Sequence, residues 1–428
     1  MGRAFDLIAS FDLKGGRHMV ATSFHYDPYS IEAMRNPQPL YRVLREDHPA
    51  YYMPDYDSWA FSRFEDCWAI LNDSVNFSTA EGEMFAREQL LQHNAGPPRA
   101  HRLDPMDIFL NIDPPVHTKF RQVTAAPFLK GNVNKLADDI RQITRRRLDT
   151  LIERGEFDFH RDFAGYVGAC TMCMITGMAL DEAEHVASLV HQGMEREPDT
   201  PGFTERGRQF LGQIYGKIGE LLRRRRAGES PPNRLLDALI NTDMLGRPLT
   251  DADIMPQVNS IIVGGVESLP KVITGGIALL EQLPDQLAAI RADLDARIAP
   301  AFEEMLRLCA PAQWFGRTVA RDVEVGGVAL RPGQRVLMLL ASSNRDPREF
   351  DGPEEFRWNR NPRRLISFGM GAHFCIGIHV ARMEGQIMLR EFLERVERWT
   401  CLRDQGHWAV SEFQIGWTSL PIRIEARR

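Results

Sequence analysis

Apolar residues at helical spacing run from Ile254 to Leu283, and this segment limits the possible folds of the chain more than any other feature. Thr250 to Asp253 ahead of it fits the Ser/Thr-x-x-acid start pattern, so a long helix is expected over about 250–283. Its middle carries Gly264-Gly265, Glu267, Ser268 and Pro270. In a helix interior Gly costs about 1 kcal/mol and Pro about 3. The segment is therefore either two shorter helices or one helix distorted for a reason. Pro270 cannot donate to the carbonyl of Val266, and its ring crowds that oxygen, so the helix is expected to open there.

Helical spacing covers nearly everything between Thr118 and Leu308, including Val133 to Leu151, Phe210 to Arg225 and Leu235 to Ile240. Strand patterns are confined to Tyr51–Phe61, with a turn at Pro54 to Ser58, and to Val319–Leu340, with turns at Gly326-Gly327 and Pro332-Gly333. A mainly α (α+β) fold follows, with a large helical part and small antiparallel β-sheets. The 428 residues contain no Ser/Gly-rich linker or low-complexity tract, so a single domain over 1–428 is expected.

A net charge of -6 is the opposite of a nucleic-acid footprint. No uninterrupted apolar run approaches the roughly 18 residues of a membrane span. Met1 to Phe11 holds Arg3, Asp6 and Ser10 in place of a signal-peptide core, so the chain reads as soluble and cytoplasmic, without membrane or nucleic acid as partner. Six cysteines in 428 residues do not indicate a disulfide framework. Cys170 and Cys173 form a lone Cys-x-x-Cys in an apolar helical run and read as core. Arg223 to Arg226 read as a solvated helix end.

The chemistry is concentrated in Phe368-Gly369-Met370-Gly371-Ala372-His373-Phe374-Cys375-Ile376-Gly377, a Gly-rich loop feeding a helix. A thiol just ahead of a helix start lies where the dipole and free N–H groups favour its anion, and flanking glycines let a flat ligand approach the backbone. A dinucleotide fingerprint fits poorly, because the third Gly is missing at its offset and no acidic residue closes a strand.

This stretch resembles the haem-binding signature of the cytochrome P-450 family, Phe-x-x-Gly-x-His/Arg-x-Cys-x-Gly, matched at every fixed position by Phe368, Gly371, His373, Cys375 and Gly377. The resemblance extends from about Pro28 to the C-terminus and leaves residues 1–27 as an N-terminal extension. It implies the cytochrome P-450 fold and haem b (iron protoporphyrin IX), with Cys375 as the axial thiolate. Phe368, Gly369 and Gly377 would shield the sulfur and admit the ring, and His373 would face a propionate. Glu304 and Arg307 match the family's Glu-x-x-Arg helix, with Arg360 as third partner of a structural lock, although Glu303 to Arg307 is an equally ordinary i,i+4 pair. His117, Arg121 and Arg317 fall where the family places further propionate ligands, and buried propionates need such cations.

The resemblance also maps small-Gly-x-acid-Thr onto Gly264 to Ser268, with Glu267 as the acid and Ser268 in place of Thr. An alcohol that both accepts and donates can relay a proton to the oxygen site. Without the Thr branch its rotamer is less fixed. Substrate contacts map to Met84–Phe109, Met172–Phe210, Val263–Ser268, Ala312–Phe315 and Phe413–Trp417. Met84, Phe85, Phe109, Val263, Gly264, Trp314 and Phe315 stand out there and imply a hydrophobic substrate such as a terpenoid, steroid, polyketide or aromatic.

The implied activity is a monooxygenase that draws electrons indirectly from NAD(P)H through a ferredoxin or flavodoxin. That carrier would dock on the proximal face around Arg121, Lys130, Arg363, Arg364 and Arg382. Two other readings stand beside it. One is a haem-thiolate enzyme that uses peroxide or performs a rearrangement or coupling; the other is a catalytically silent haem or substrate binder.

Overall fold

The computed structural model describes residues 24–427 except 93–95, 97, 198–201 and 245. Most of the N-terminal extension therefore lies outside the described residues. Eight helices position the site: α1 (Val116–Thr124), α2 (Ala137–Arg154), α3 (Tyr166–Thr176), α4 (Ala183–Met194), α5 (Glu205–Arg226), α6 (Asp251–Glu281), α7 (Leu294–Leu308) and α8 (Ile378–Arg395). Helix α6 is the axle, packed against α3, α5, α7 and α8. Thr250 and Asp253 cap it reciprocally, as the start pattern predicts.

Helix α6 stays α-helical from Asp251 to Glu281, through Val266 and Pro270, so the two-helix reading fails, while the Val266 carbonyl still lacks the donor that Pro270 cannot supply. The reason is tertiary. Pro270 is buried, with its ring 3.8 Å from where a Cβ on Gly168 of α3 would stand, and Val266 and Leu269 are buried beside it. Packing of this kind outweighs propensity in a core helix. An 18-residue window of α6 is also apolar enough to cross a membrane, but 72% of that window is buried inside the fold.

Five strands form the larger sheet: β1 (Ala50–Met53), β2 (Ser58–Phe61), β3 (Phe77–Ser78), β4 (Phe315–Val319) and β5 (Arg335–Met338), in the order β1-β2-β5-β4-β3. The expectation of purely antiparallel sheets needs correction here, because β2 runs parallel to β5, Ser58 opposite Arg335 and Phe61 opposite Met338. The two local strand patterns are joined across most of the chain. Only their local turns are visible in sequence, and these set antiparallel neighbours. A three-stranded antiparallel sheet of Glu156–Asp158, Pro421–Ala426 and Val396–Cys401 closes the other side.

Candidate functional site

Cys375 follows a single turn at Gly371–His373 and precedes α8, whose N-cap is Gly377. The loop is tied to itself, since the Cys375 N–H donates to the Phe368 carbonyl at 3.0 Å and the Phe374 N–H to that of Gly371 at 3.2 Å. Gly369 and Gly371 adopt φ of 64° and 69°. A Cβ at Gly371 would in addition strike the carbonyl oxygen of Leu71, so both conformation and space require glycine. Arg121 on α1 reaches across and donates to the Phe374 carbonyl at 2.7 Å, and the Arg382 guanidinium lies 5.3 Å from the centre of the Phe368 ring. Burial pushes the Cys375 thiol up, while the Gly377 N–H and Arg121 pull it down. Metal coordination overrides such a balance, because a coordinating thiol is deprotonated outright.

Four basic side chains converge beside this loop: His117 and Arg121 from α1, Arg317 from β4 and His373. The rings of His117 and His373 lie 4.0 Å apart, centre to centre. Nε2 of His117 and Nδ1 of His373 are buried with no hydrogen-bond partner. Burial, then the charge of Arg121, lowers His117 to about 4; burial, then Arg317 and His117, lowers His373 to about 2. Arg317 is itself lowered by burial and donates to the Gly316 carbonyl at 2.7 Å. Buried donors without partners are costly. A group carrying two carboxylates would supply what these nitrogens lack, so the side chains present fit haem.

Across from the loop, α6 presents its two glycines differently. A Cβ at Gly264 would meet no atom within 4 Å, so this residue borders open space. At Gly265 a Cβ would strike the Met172 side chain, so the second glycine serves the packing of α3 and not a groove. Ser268 is half-buried, and its hydroxyl has no hydrogen-bond partner among the described residues. Glu267 is buried and pinned, paired with Lys271 one turn on and with Nδ1 of His191 on α4 at 3.2 Å. Burial alone would raise its carboxyl, but Lys271 and His191 outweigh burial and hold it below its usual value. The acid thus faces Lys271 on α6 and the His191 ring on α4. Lys271 at i+4 was readable in the sequence; His191, 76 residues away, was not.

The lock sits beneath the loop. Glu304 accepts from Nε and Nη2 of Arg307 at 2.8 Å each, from Nε of Arg360 at 2.9 and 3.1 Å, and from the Arg357 N–H at 3.0 Å. Arg307 also donates to the carbonyls of Asn344, Pro353 and Glu355 at 2.8, 2.6 and 3.0 Å. Glu303 instead pairs with Arg382 at 2.6 and 2.8 Å.

Three of the seven expected substrate contacts belong to the core. Phe85 and Trp314 are buried in one cluster with Tyr29, Tyr41 and Leu337, and Phe109 stacks on Phe120 at 5.0 Å inside another. Aromatic side chains carry much apolar area, so a sequence cannot separate pocket from core by their presence. Met84 is exposed, Val263 and Phe315 are half-buried, and with Gly264 they remain at accessible surface. Cys170 and Cys173 are buried core residues with thiols pushed up to about 11 and about 12 by burial. Arg223, Arg225 and Arg226 pair with Glu220, Asp237 and Asp251, which makes that run a helix-end lattice.

The family model described as Cytochrome P450 matches residues 202–426. A putative cytochrome P450 123 of Mycobacterium tuberculosis is 30% identical over 405 residues, covering 94% of this chain and 97% of the relative. The polyketide biosynthesis cytochrome P450 PksS of Bacillus subtilis is 26% identical over 95% of this chain and 98% of its own. Among solved structures, cytochrome P450 CYP268A2 of Mycobacterium marinum in complex with pseudoionone superposes with a TM-score of 0.79 at 26% identity, over 90% of this chain and 94% of that one.

Proposed function

The chain belongs to the cytochrome P450 family and is a haem-thiolate monooxygenase, and from that premise we propose that Cys375 is the axial ligand and that His117, Arg121, Arg317 and His373 hold the propionates. One observation carries this assignment: a thiol at the start of α8, in a loop that only glycine can close, beside basic side chains whose buried nitrogens lack partners. When bound, the haem supplies oxygen activation, with thiolate ligation pushing electron density towards O–O cleavage. Phe368 and the loop's main chain would shield the sulfur of the half-buried Cys375 once haem is bound. Gly264 borders open space that would accommodate substrate or oxygen beside a bound haem, and Ser268 Oγ would hold or pass a proton there. We read the whole chain as one P450 domain acting in the cytoplasm.

The substrate is a hydrophobic small molecule of the terpenoid, steroid, polyketide or aromatic kind. Met84, Val263, Gly264 and Phe315 at accessible surface support this, as do the polyketide biosynthesis role of PksS and the pseudoionone bound to CYP268A2. A peroxide-using enzyme is the second reading. It is favoured by Glu267 being held by Lys271 and His191, which leaves Ser268 without an acid aimed at it. The reduced protein with carbon monoxide is expected to give a strongly red-shifted Soret band. Product from a hydrophobic library is expected only with NAD(P)H, ferredoxin and its reductase together. Turnover with peroxide alone would favour the second reading, and a red-shifted band with no turnover under either condition would favour a silent binder.

Electrons arrive from a ferredoxin or flavodoxin at the proximal face. A groove of about 510 Å³ there is lined by Lys130, Arg141, His379, Arg382 and Arg390 with Asp295, and its basic rim suits an acidic carrier. The five basic residues read from sequence do not contribute equally. Arg121 bonds the loop, Arg382 pairs with Glu303, and Arg364 is clamped by Glu65 and Glu349 over Phe64 and Trp68. Lys130 and Arg363 are exposed with no ion pair among the described residues. Lys130→Glu with Arg363→Glu is therefore expected to slow reduction by about tenfold at low salt and less at high salt. Stopped-flow reduction checks this, and rates insensitive to both variant and salt would move the docking surface elsewhere.

A further inference from the structure

Glu83 is a buried carboxyl that the chemistry above does not use. It is 7% exposed, and no hydrogen bond reaches its carboxylate oxygens among the described residues. Its position is fixed by the main chain, because the Gly316 N–H donates to its carbonyl at 2.7 Å. That bond sets Glu83 beside β4, one residue from Arg317. Arg317 is the charge that opposes burial at Glu83, and Glu83 in turn is the first of the two acids that support Arg317, ahead of Asp113. The Cys375 thiol also feels Glu83. Asp113 is otherwise engaged, accepting from the Thr79 N–H and hydroxyl at 2.8 and 2.9 Å and from Ser78.

A carboxylate in a cradle meant for two more carboxylates poses a charge problem. While the cradle is empty of anions, Glu83 and Asp113 are the acids whose charge supports Arg317, and no ion pair joins Glu83 to it among the described residues. When a propionate takes that role, Glu83 faces carboxylates in a buried site, and like charges there cannot all ionise. A neutral carboxylic acid has one O–H to donate, and the incoming carboxylate is the acceptor it lacks. We propose that Glu83 is a fifth member of the propionate cradle, working as a neutral acid that donates its O–H to the carboxylate held by Arg317. The proposal rests on the haem reading above.

Burial pushes the free Glu83 carboxyl up to about 7, against Arg317. Haem binding then takes up or retains one proton on Glu83, so affinity falls as pH rises above that value. His117, His373, Arg121, Arg317 and Cys375 share the site, and Arg335 with Glu81 lies behind β4 at 3.1 Å. All of these side chains are present in wild type and in a Glu83 variant, although Arg317 and Cys375 also feel the charge that the variant removes, so the affinity difference is read together with the infrared band of the Glu83 carboxylic acid. That band, which belongs to the Glu83 carboxyl alone, separates its protonation from any change at Arg317 or Cys375.

Apoprotein is titrated with haemin, and haem loss is measured by transfer to a haem-scavenging globin, between about pH 6.5 and about pH 8.5. Glu83→Gln, which keeps the donor and cannot ionise, is expected to retain wild-type affinity at the low end. Relative to it, the wild type loses about tenfold per pH unit above Glu83's own value. An infrared carboxylic-acid C=O band in the haem-loaded protein at neutral pH, absent from Glu83→Gln, gives a readout independent of affinity. Parallel pH curves, a missing band, or weaker haem binding by folded Glu83→Gln at low pH would overturn the role of Glu83 while leaving the haem reading standing. A wild type that binds no haem would overturn both.

Discussion

Cys375→Ala is expected to abolish the red-shifted Soret band of the reduced, carbon-monoxide-treated protein and all NAD(P)H-driven turnover, while the fold survives. The two effects separate because the loop is not held by the thiol. The Cys375 N–H bond to Phe368 at 3.0 Å, the Phe374 bond to Gly371 at 3.2 Å and the Arg121 bond to Phe374 at 2.7 Å are made by the main chain and by α1, and alanine keeps all three. Gly369 and Gly371 retain their left-handed turns. What is lost is the sulfur that donates electron density to iron, and no other cysteine can replace it. Cys67, Cys170, Cys173 and Cys401 are buried elsewhere, and Cys309 stands against Gly275 of α6. Haem still has His117, Arg121, Arg317 and His373 to bind, so a reduced content of haem with an altered, non-thiolate spectrum is the predicted residue. A variant that keeps the red-shifted band would remove Cys375 from the iron, and an imidazole-like band in wild type would remove the thiolate altogether.

The parts of the site that were legible in sequence are those whose partners are near in sequence or obligatory in chemistry. The loop is contiguous, so Phe368 to Gly377 shows its turns, its thiol and its helix start in ten letters. The capping of α6 by Thr250 and Asp253 is likewise local. What was not legible comes from chain crossings. Thr79, whose hydroxyl lies 3.3 Å from His373, and Glu83 beside Arg317 arrive from a stretch with no motif. His191 meets Glu267 only because α4 packs on α6. Pro270 does not split the helix because a helix-interior penalty is a property of an isolated helix, whereas α6 is packed against α3, α4, α5, α7 and α8. Phe85 and Trp314 are buried in an aromatic cluster, a placement the sequence does not reveal, since a large apolar side chain has the same composition signal in a pocket wall as in a core.

The two adjacent acids Glu303 and Glu304 supply the other large effect; spacing alone does not distinguish them, each lying at helical spacing from Arg307, and only the family resemblance selects Glu304. The structure separates them by burial. Glu304 is fully buried and holds Arg307, Arg360 and the Arg357 N–H, whereas Glu303 is half-buried and pairs with the half-buried Arg382. Removing one partner of a buried pair costs about 3–5 kcal/mol, because the remaining charge has nothing to offset its desolvation. For Glu304→Ala that charge is Arg307, itself enclosed and already bonded to three carbonyls, with Arg360 beside it. A surface pair contributes about 0–1 kcal/mol. Glu304→Ala is therefore expected to shift the denaturant midpoint by several times as much as Glu303→Ala. The same variant is expected to lose haem first, since Arg307 ties α7 to Asn344, and Asn344 Nδ2 donates to Ser367 at 2.9 Å, one residue before Phe368. Equal shifts for the two variants would mean that the lock does not carry the load its burial implies. A large shift with haem retained would mean that it stabilises the helical part without positioning the loop.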